Sequence, residues 1–364
     1  MGVRACAVRM PPPCSLARAA LSGMAGSRSV VLVTDSALAD GFQGFRGPVS
    51  ERRKWKGSHP RSDWMPFVSL RAALIVLVTV ALPAGLLETA HAIAVSALID
   101  APNHGRVPLP GVPPADAELL RVTRYDGAVI EAFVLTPVDR EPAGTVLLFH
   151  GVRSDKSGYV NLARQLVGRG FRALAIDLRG HGGSSGDYLT YGLSDHADAS
   201  ALLDALEDRG VRLGPVATIG ASYGGAAALQ TAAHDRRVRA VATISTFARL
   251  RDLLPGYAHQ LAPMLPAPPG WFISWGLASA EERTGLDLEE SDSTLAIRRF
   301  TGPVLLQHGE ADTSIPIAQG ELLEEACGTR CSFIRVPGGT HESMLADDRV
   351  WRRAFDFVEA TLAP

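Results

Sequence analysis

Ser222 lies in the run Gly220-Ala221-Ser222-Tyr223-Gly224, with a glycine two residues away on either side. Its hydroxyl is a candidate nucleophile because of what surrounds the motif. Residues 216–219 read as a buried strand running straight into it, and Gly225 with the alanines that follow opens a helix. A side chain on so sharp a turn takes a strained backbone conformation, and only tiny neighbours at Gly220 and Gly224 leave room for it. The turn lifts the hydroxyl above the strand and sets it at a helix N-terminus, where the helix dipole favours developing negative charge. Such a serine suits attack on a carbonyl carbon, which also requires a base for its proton and a group to orient that base. The bland alternative is an incidental glycine-rich turn.

The elements that must position this serine are legible on both sides of it. Residues 119–125 and Val129–Leu135 flank Asp126-Gly127, a strong hairpin signal. Short apolar runs then recur at Thr145–Phe149, 173–176, 216–219, Val238–Ile244, 304–307 and 332–336, alternating with amphipathic segments such as 201–206 and 226–233. This alternation predicts an α/β fold: a mostly parallel sheet with helices on both faces and an antiparallel hairpin at its N-terminal edge. One catalytic domain, 115–364, accounts for all of it.

Composition excludes several classes of function. Of 364 residues, 46% are apolar and 20% charged, and the net charge is −2, so no broad basic face argues for nucleic acid. Lys54, Lys56 and Lys156 are the only lysines. The four cysteines form two pairs, Cys6/Cys14 and Cys327/Cys331, and neither has the spacing of a zinc site. Cys327 and Cys331 can close a disulfide loop if that part of the chain is exported, or remain two thiols near a turn. Neither a metal nor an organic cofactor is expected, and no oligomeric state is implied.

Residues 1–64 show no sustained periodicity and read as a disordered or mis-started extension, with Met65 as an alternative start. From 72 to 87 the chain carries no charge; Arg71 precedes this run, and Glu88 and His91 follow it. Segment 65–98 therefore reads as a membrane anchor, with a signal peptide ending near Ala90-His91-Ala92 or a buried core helix as alternatives. Positive charge upstream predicts that the C-terminal part lies outside the cytoplasm, membrane-anchored, or secreted or periplasmic after cleavage. The Pro- and Gly-rich stretch 99–114 reads as a linker.

Taken together, residues 119–362 resemble the α/β-hydrolase superfamily. The resemblance rests on His150-Gly151 at a strand end, on Asp177-Leu178-Arg179-Gly180-His181-Gly182 after the next strand, on the serine motif, and on His308-Gly309-Glu310-Ala311-Asp312, in the family's order. An anchor ahead of this domain resembles a group of single-pass, membrane-anchored hydrolases. The resemblance implies Asp312 as the acid, with Glu310 as competitor and helix capping as the alternative role. It implies His341, in Gly338-Gly339-Thr340-His341, as the base. The oxyanion donors are then the backbone N–H groups of Val152 and Tyr223. His150, Asp177, Arg179 and His181 read as loop-shaping residues. The strandless stretch at about 247–300 resembles the family's cap over the pocket. The expected reaction is hydrolysis of an ester, or of an amide, through an acyl-Ser222, on a small-molecule or lipid-like acyl substrate. A peptidase, an acyltransferase using the same triad, and a tethered non-catalytic binding protein are the rivals.

Overall fold

Among the described residues eight strands, β1 (Glu118–Thr123), β2 (Val129–Leu135), β3 (Thr145–Phe149), β4 (Arg172–Ile176), β5 (Val216–Ala221), β6 (Val238–Ile244), β7 (Val304–Gly309) and β8 (Cys331–Val336), pair into one sheet. The computed structural model describes residues 77–362, so the N-terminal extension and the start of the apolar run lie outside the described residues. Strand order is β1-β2-β4-β3-β5-β6-β7-β8. The hairpin β1–β2 is antiparallel and β2 also meets β4 antiparallel; the remaining pairs are parallel. The expected mixed sheet is therefore present, with β5 and β7 each running two residues further than their apolar runs.

The helices are α1 (Leu82–Ile99), α2 (Val160–Gly168), α3 (Asp195–Asp208), α4 (Tyr223–His234), α5 (Leu250–Leu261), α6 (Gly270–Thr284), α7 (Ser293–Arg299), α8 (Ile317–Cys327), α9 (His341–Ala346) and α10 (Asp348–Leu362). Strands β3, β4 and β5 are buried along their whole length, as continuous apolar strands must be when helices cover both faces. On one face pack α2 and α10. The latter does so through Val350, Trp351, Ala354, Phe355, Val358 and Leu362, a stripe at helical spacing. On the other face lie α3, α4, α7 and α8. A disulfide joins Cys327 at the end of α8 to Cys331 at the start of β8, with a Cα–Cα distance of 5.8 Å.

Among the described residues α1 is the one helix long and apolar enough to cross a membrane, with a mean hydropathy of 1.5. Its two halves differ. Residues 82–90 are exposed, whereas His91, Val95 and Ile99, spaced by four, are buried against the domain. The chain that follows is held at once: Ala101 N–H donates to Asp187 O, Asn103 N–H to Gly180 O and Gly105 N–H to Asp187 Oδ1, each at 2.9 Å. The stretch expected as a linker thus divides into a docked part and a part where Val107, Leu109 and Val112 are exposed.

Candidate active site

Ser222 stands between strand β5 and α4, with φ 54° and ψ −123°, a conformation costly for any residue with a Cβ. The surroundings over-determine it. Ser222 N–H donates to Ile244 O at 2.8 Å, and Ser222 O accepts from Gly225 N–H at 3.0 Å and from Thr246 Oγ1 at 3.3 Å. A Cβ on Gly220 would lie 2.1 Å from Gly224 O, and one on Gly224 would lie 2.3 Å from Phe149 O. At both positions close backbone approach leaves no room for a Cβ.

Asp312 and His341 come from the loops after β7 and β8. Asp312 sits on the loop after β7, where its Oδ1 accepts the N–H groups of Ser314 (3.0 Å) and Ile315 (2.8 Å). Those bonds aim the other oxygen outward, and Oδ2 meets His341 Nδ1 at 2.8 Å. His341 opens α9, whose N-cap Thr340 exchanges side-chain and backbone hydrogen bonds with Ser343. The loops are locked to each other: Ala311 N–H donates to Gly339 O at 3.0 Å, and Glu310 N–H to Val336 O at 3.0 Å. His341 Nε2 lies 3.0 Å from Ser222 Oγ. With its proton on Nδ1, the imidazole donates to Asp312 and accepts from the serine hydroxyl. The competitor Glu310 is exposed.

Burial alone would raise the Asp312 carboxyl. The bonds from His341 and Ile315, with the neighbouring imidazoles of His341 and His308, outweigh it and hold Asp312 below the ordinary carboxylate range. His308 is buried and fixes this loop through Nε2–H donating to Ile315 O at 2.8 Å. A histidine beside Gln307 at the end of a buried strand was its available signal.

The two residues expected to donate to an oxyanion both border the cavity at Ser222. Neither the Val152 nor the Tyr223 N–H has a hydrogen-bond acceptor among the described residues. Gly151 packs beside the serine, where a Cβ would lie 3.6 Å from Ser222 Cβ. His150 shapes this strand end: it accepts the Leu178 N–H at Nε2 (3.0 Å) and donates from Nδ1 to Gly151 O (2.8 Å). Burial, with the nearby His181, drives its pKa down to about 3. Asp177 accepts the backbone N–H groups of Lys156 and Gly183 at 2.6 Å each and pairs with the Lys156 ammonium, which also reaches Glu131 at 3.0 Å. This buried charge cluster, whose lysine no spacing rule singled out, braces the loops behind Gly151.

Above Ser222 lies a cavity of about 820 Å³. Its roof is α5 and α6, through Leu254, Tyr257 and Ile273, and a further wall is α1, through Val95 and Leu98. Its charged lining residues are Asp100 and Arg153. Asp100 is already paired with Arg283 at 3.3 Å. The whole arrangement stands at the C-terminal ends of parallel strands, where open α/β sheets bind their ligands.

Residues 140–278 match the family model described as serine aminopeptidase, S33. The chain is 30% identical to an uncharacterized protein of Mycobacterium tuberculosis over 256 residues, 70% of this chain and 83% of that protein. It is 28% identical to the uncharacterized Escherichia coli protein YfhR over 264 residues, 70% of this chain and 84% of YfhR. Among solved structures, the Pyrococcus furiosus esterase Pf2001 aligns with a TM-score of 0.55 at 17% identity, covering 70% of this chain and 98% of the esterase. A 2,6-dihydroxy-pseudo-oxynicotine hydrolase aligns with a TM-score of 0.52 at 18% identity over 68% of each chain. The chain belongs to the α/β-hydrolase superfamily. Within it, this is a hydrolase with a mixed sheet and helices around it.

Proposed function

We propose that this protein is a serine esterase, in which Ser222 attacks the carbonyl carbon of a carboxylic ester and forms an acyl-enzyme. The single observation that supports this most is the imidazole of His341 bridging Ser222 Oγ at 3.0 Å and Asp312 Oδ2 at 2.8 Å. In this reading His341 Nε2 takes the hydroxyl proton as the Oγ–C bond forms, and Asp312 holds the tautomer and stabilises the imidazolium. The tetrahedral oxygen is received by the N–H groups of Val152 and Tyr223. His341 then protonates the leaving alcohol, water enters, and the same steps in reverse order release the acid.

The family description favours one second reading, an aminopeptidase. Such an enzyme must hold the α-ammonium of its substrate, and a buried ammonium requires a carboxylate partner. Asp100 is the cavity's acidic lining residue, and Arg283 already engages it. The lining is otherwise mostly aliphatic and aromatic, which suits an apolar acyl group. Comparison of p-nitrophenyl acyl esters with aminoacyl p-nitroanilides decides between the two: esters alone should turn over. A fluorophosphonate probe should label the protein and fail to label Ser222→Ala. Absence of labelling in folded wild-type protein would return the reading to a non-catalytic binding protein.

The same proposal places the hydrolase domain outside the cytoplasm, membrane-anchored through the apolar segment or released after cleavage. It rests on the basic residues upstream of that segment and on the Cys327–Cys331 disulfide, a bond that persists in oxidising compartments.

A further inference from the structure

Helix α1 lies against α6, and the two run in parallel. Near the middle of α1, His91 stacks on Trp275 in the first half of α6, with ring centroids 3.4 Å apart and planes 6° from parallel. At their C-terminal ends, Arg283 of α6 reaches Ser96 Oγ and Asp100 Oδ1 of α1, each at 3.3 Å. The N-terminus of α6 and the loop before it, 262–269, therefore stand at the end of the domain from which the exposed half of α1 emerges. That end is largely apolar: Met264 is 93% exposed, Leu265 64% and Trp271 58%, and the emerging half of α1 exposes Leu82, Leu86 and Leu87, with Glu88 as its one charge. The charge-free run 72–87 takes in the first six residues of this helix, whose second half is seated on the domain.

The cavity above Ser222 extends toward the same end. It runs between α1 and α6, where its lining includes Ala94 and Ala97, both exposed, and reaches Pro268 in loop 262–269 and Phe272. A channel that opens where an apolar helix leaves the domain, beside an apolar collar, suits a hydrocarbon chain better than a water-borne solute.

We infer that this end of the domain rests on the lipid bilayer, with the 262–271 collar inserted at the interface, and that the cavity takes the acyl chain of a membrane-resident lipid ester entering between α1 and α6. This deepens the esterase reading and rests on it for the bond that is cut. The rigid seating of α1 matters: a domain on a loose tether would face the membrane in any orientation, whereas the His91, Val95 and Ile99 contacts set one.

Two measurements on the full chain in phosphatidylcholine vesicles test this. In the first, the vesicles carry bromine on their acyl chains, and the emission of Trp271 is taken as the difference between wild type and Trp271→Phe. Quenching of that emission is expected; emission equal in brominated and plain vesicles overturns the docking. In the second, turnover of umbelliferyl oleate held in the vesicles is compared with that of umbelliferyl acetate in buffer. The oleate-to-acetate ratio should fall about tenfold in the double variant Met264→Asp, Leu265→Asp, because charge at the collar opposes interfacial burial. An unchanged ratio in a folded variant overturns the lipid-entry route. Quenching of Trp271 with neither ester cleaved would remove the esterase reading and leave the docking standing. Acetate turnover without quenching would do the reverse.

Discussion

Two regions meet at Ser222 and are built on opposite principles. Beneath and beside it, backbone packs on backbone: Gly220 against Gly224, Gly224 against Phe149, and a Cβ on Gly309 would lie 2.1 Å from Gly339 O. The strand-end loops carrying Asp312 and His341 are tied by hydrogen bonds to each other. Above it, α5, α6 and most of α1 meet the domain through side chains, with a backbone tie at the end of α1 where Ile99 O accepts Leu189 N–H at 2.8 Å, and many of their apolar residues stay exposed. A site held by main-chain contacts has little freedom to shift, which is what a preorganised proton relay requires. A roof held by side-chain packing tolerates change of shape and so is where acyl selection can vary. On the proposed function, the comparison separates the structural control of reactivity from that of selectivity.

The comparison can be broken most severely at the relay. His341→Ala should lower kcat on a short ester by on the order of 10⁶, and Asp312→Asn by about 10⁴, with KM little changed, since both act on the chemical step. Steady-state rates on p-nitrophenyl butyrate check this; a loss under tenfold for either would dissolve the relay. Next comes the packing below. Gly224→Ala forces a Cβ toward Phe149 O, and overpacking of this kind should cost about 1–3 kcal/mol in urea unfolding as well as most of the activity.

A pH experiment sharpens the contrast further. His150 must stay neutral when folded, because its Nε2 accepts the Leu178 N–H. Its folded pKa of about 3 lies below the ordinary value of 6.5. Between those values the unfolded chain binds a proton that the folded one refuses, so this stability is complete above about pH 6.5 and is lost progressively toward pH 3. Asp312, depressed by His341 and Ile315 against the opposing effect of burial, adds its own loss only below the ordinary carboxylate range. Urea midpoints measured from pH 7 to 4 should fall, and His150→Asn should flatten that decline. The smallest effect belongs to the roof: Ile273→Ala should change kcat/KM for short esters by less than about tenfold while shifting the preferred acyl length. If it abolished activity on short esters instead, roof and relay would not be separable.

Local pattern carried much of this protein. The strands were readable because a strand buried on both faces must be a short apolar run, and the hairpin because Asp126-Gly127 suits a tight turn. The serine motif was readable because a strained turn between strand and helix admits only glycine at two places. Those are constraints of a few adjacent residues. Tertiary structure alone decided the rest. It separated Asp312 from the exposed Glu310, brought His308 and Lys156 behind the loops, joined Cys327 to Cys331, and seated half of α1 on α6 as a cavity wall. Each depends on which distant surfaces meet, and an apolar helix reads the same in sequence whether its partner is a bilayer, a protein face, or, as with α1, a protein face along half its length.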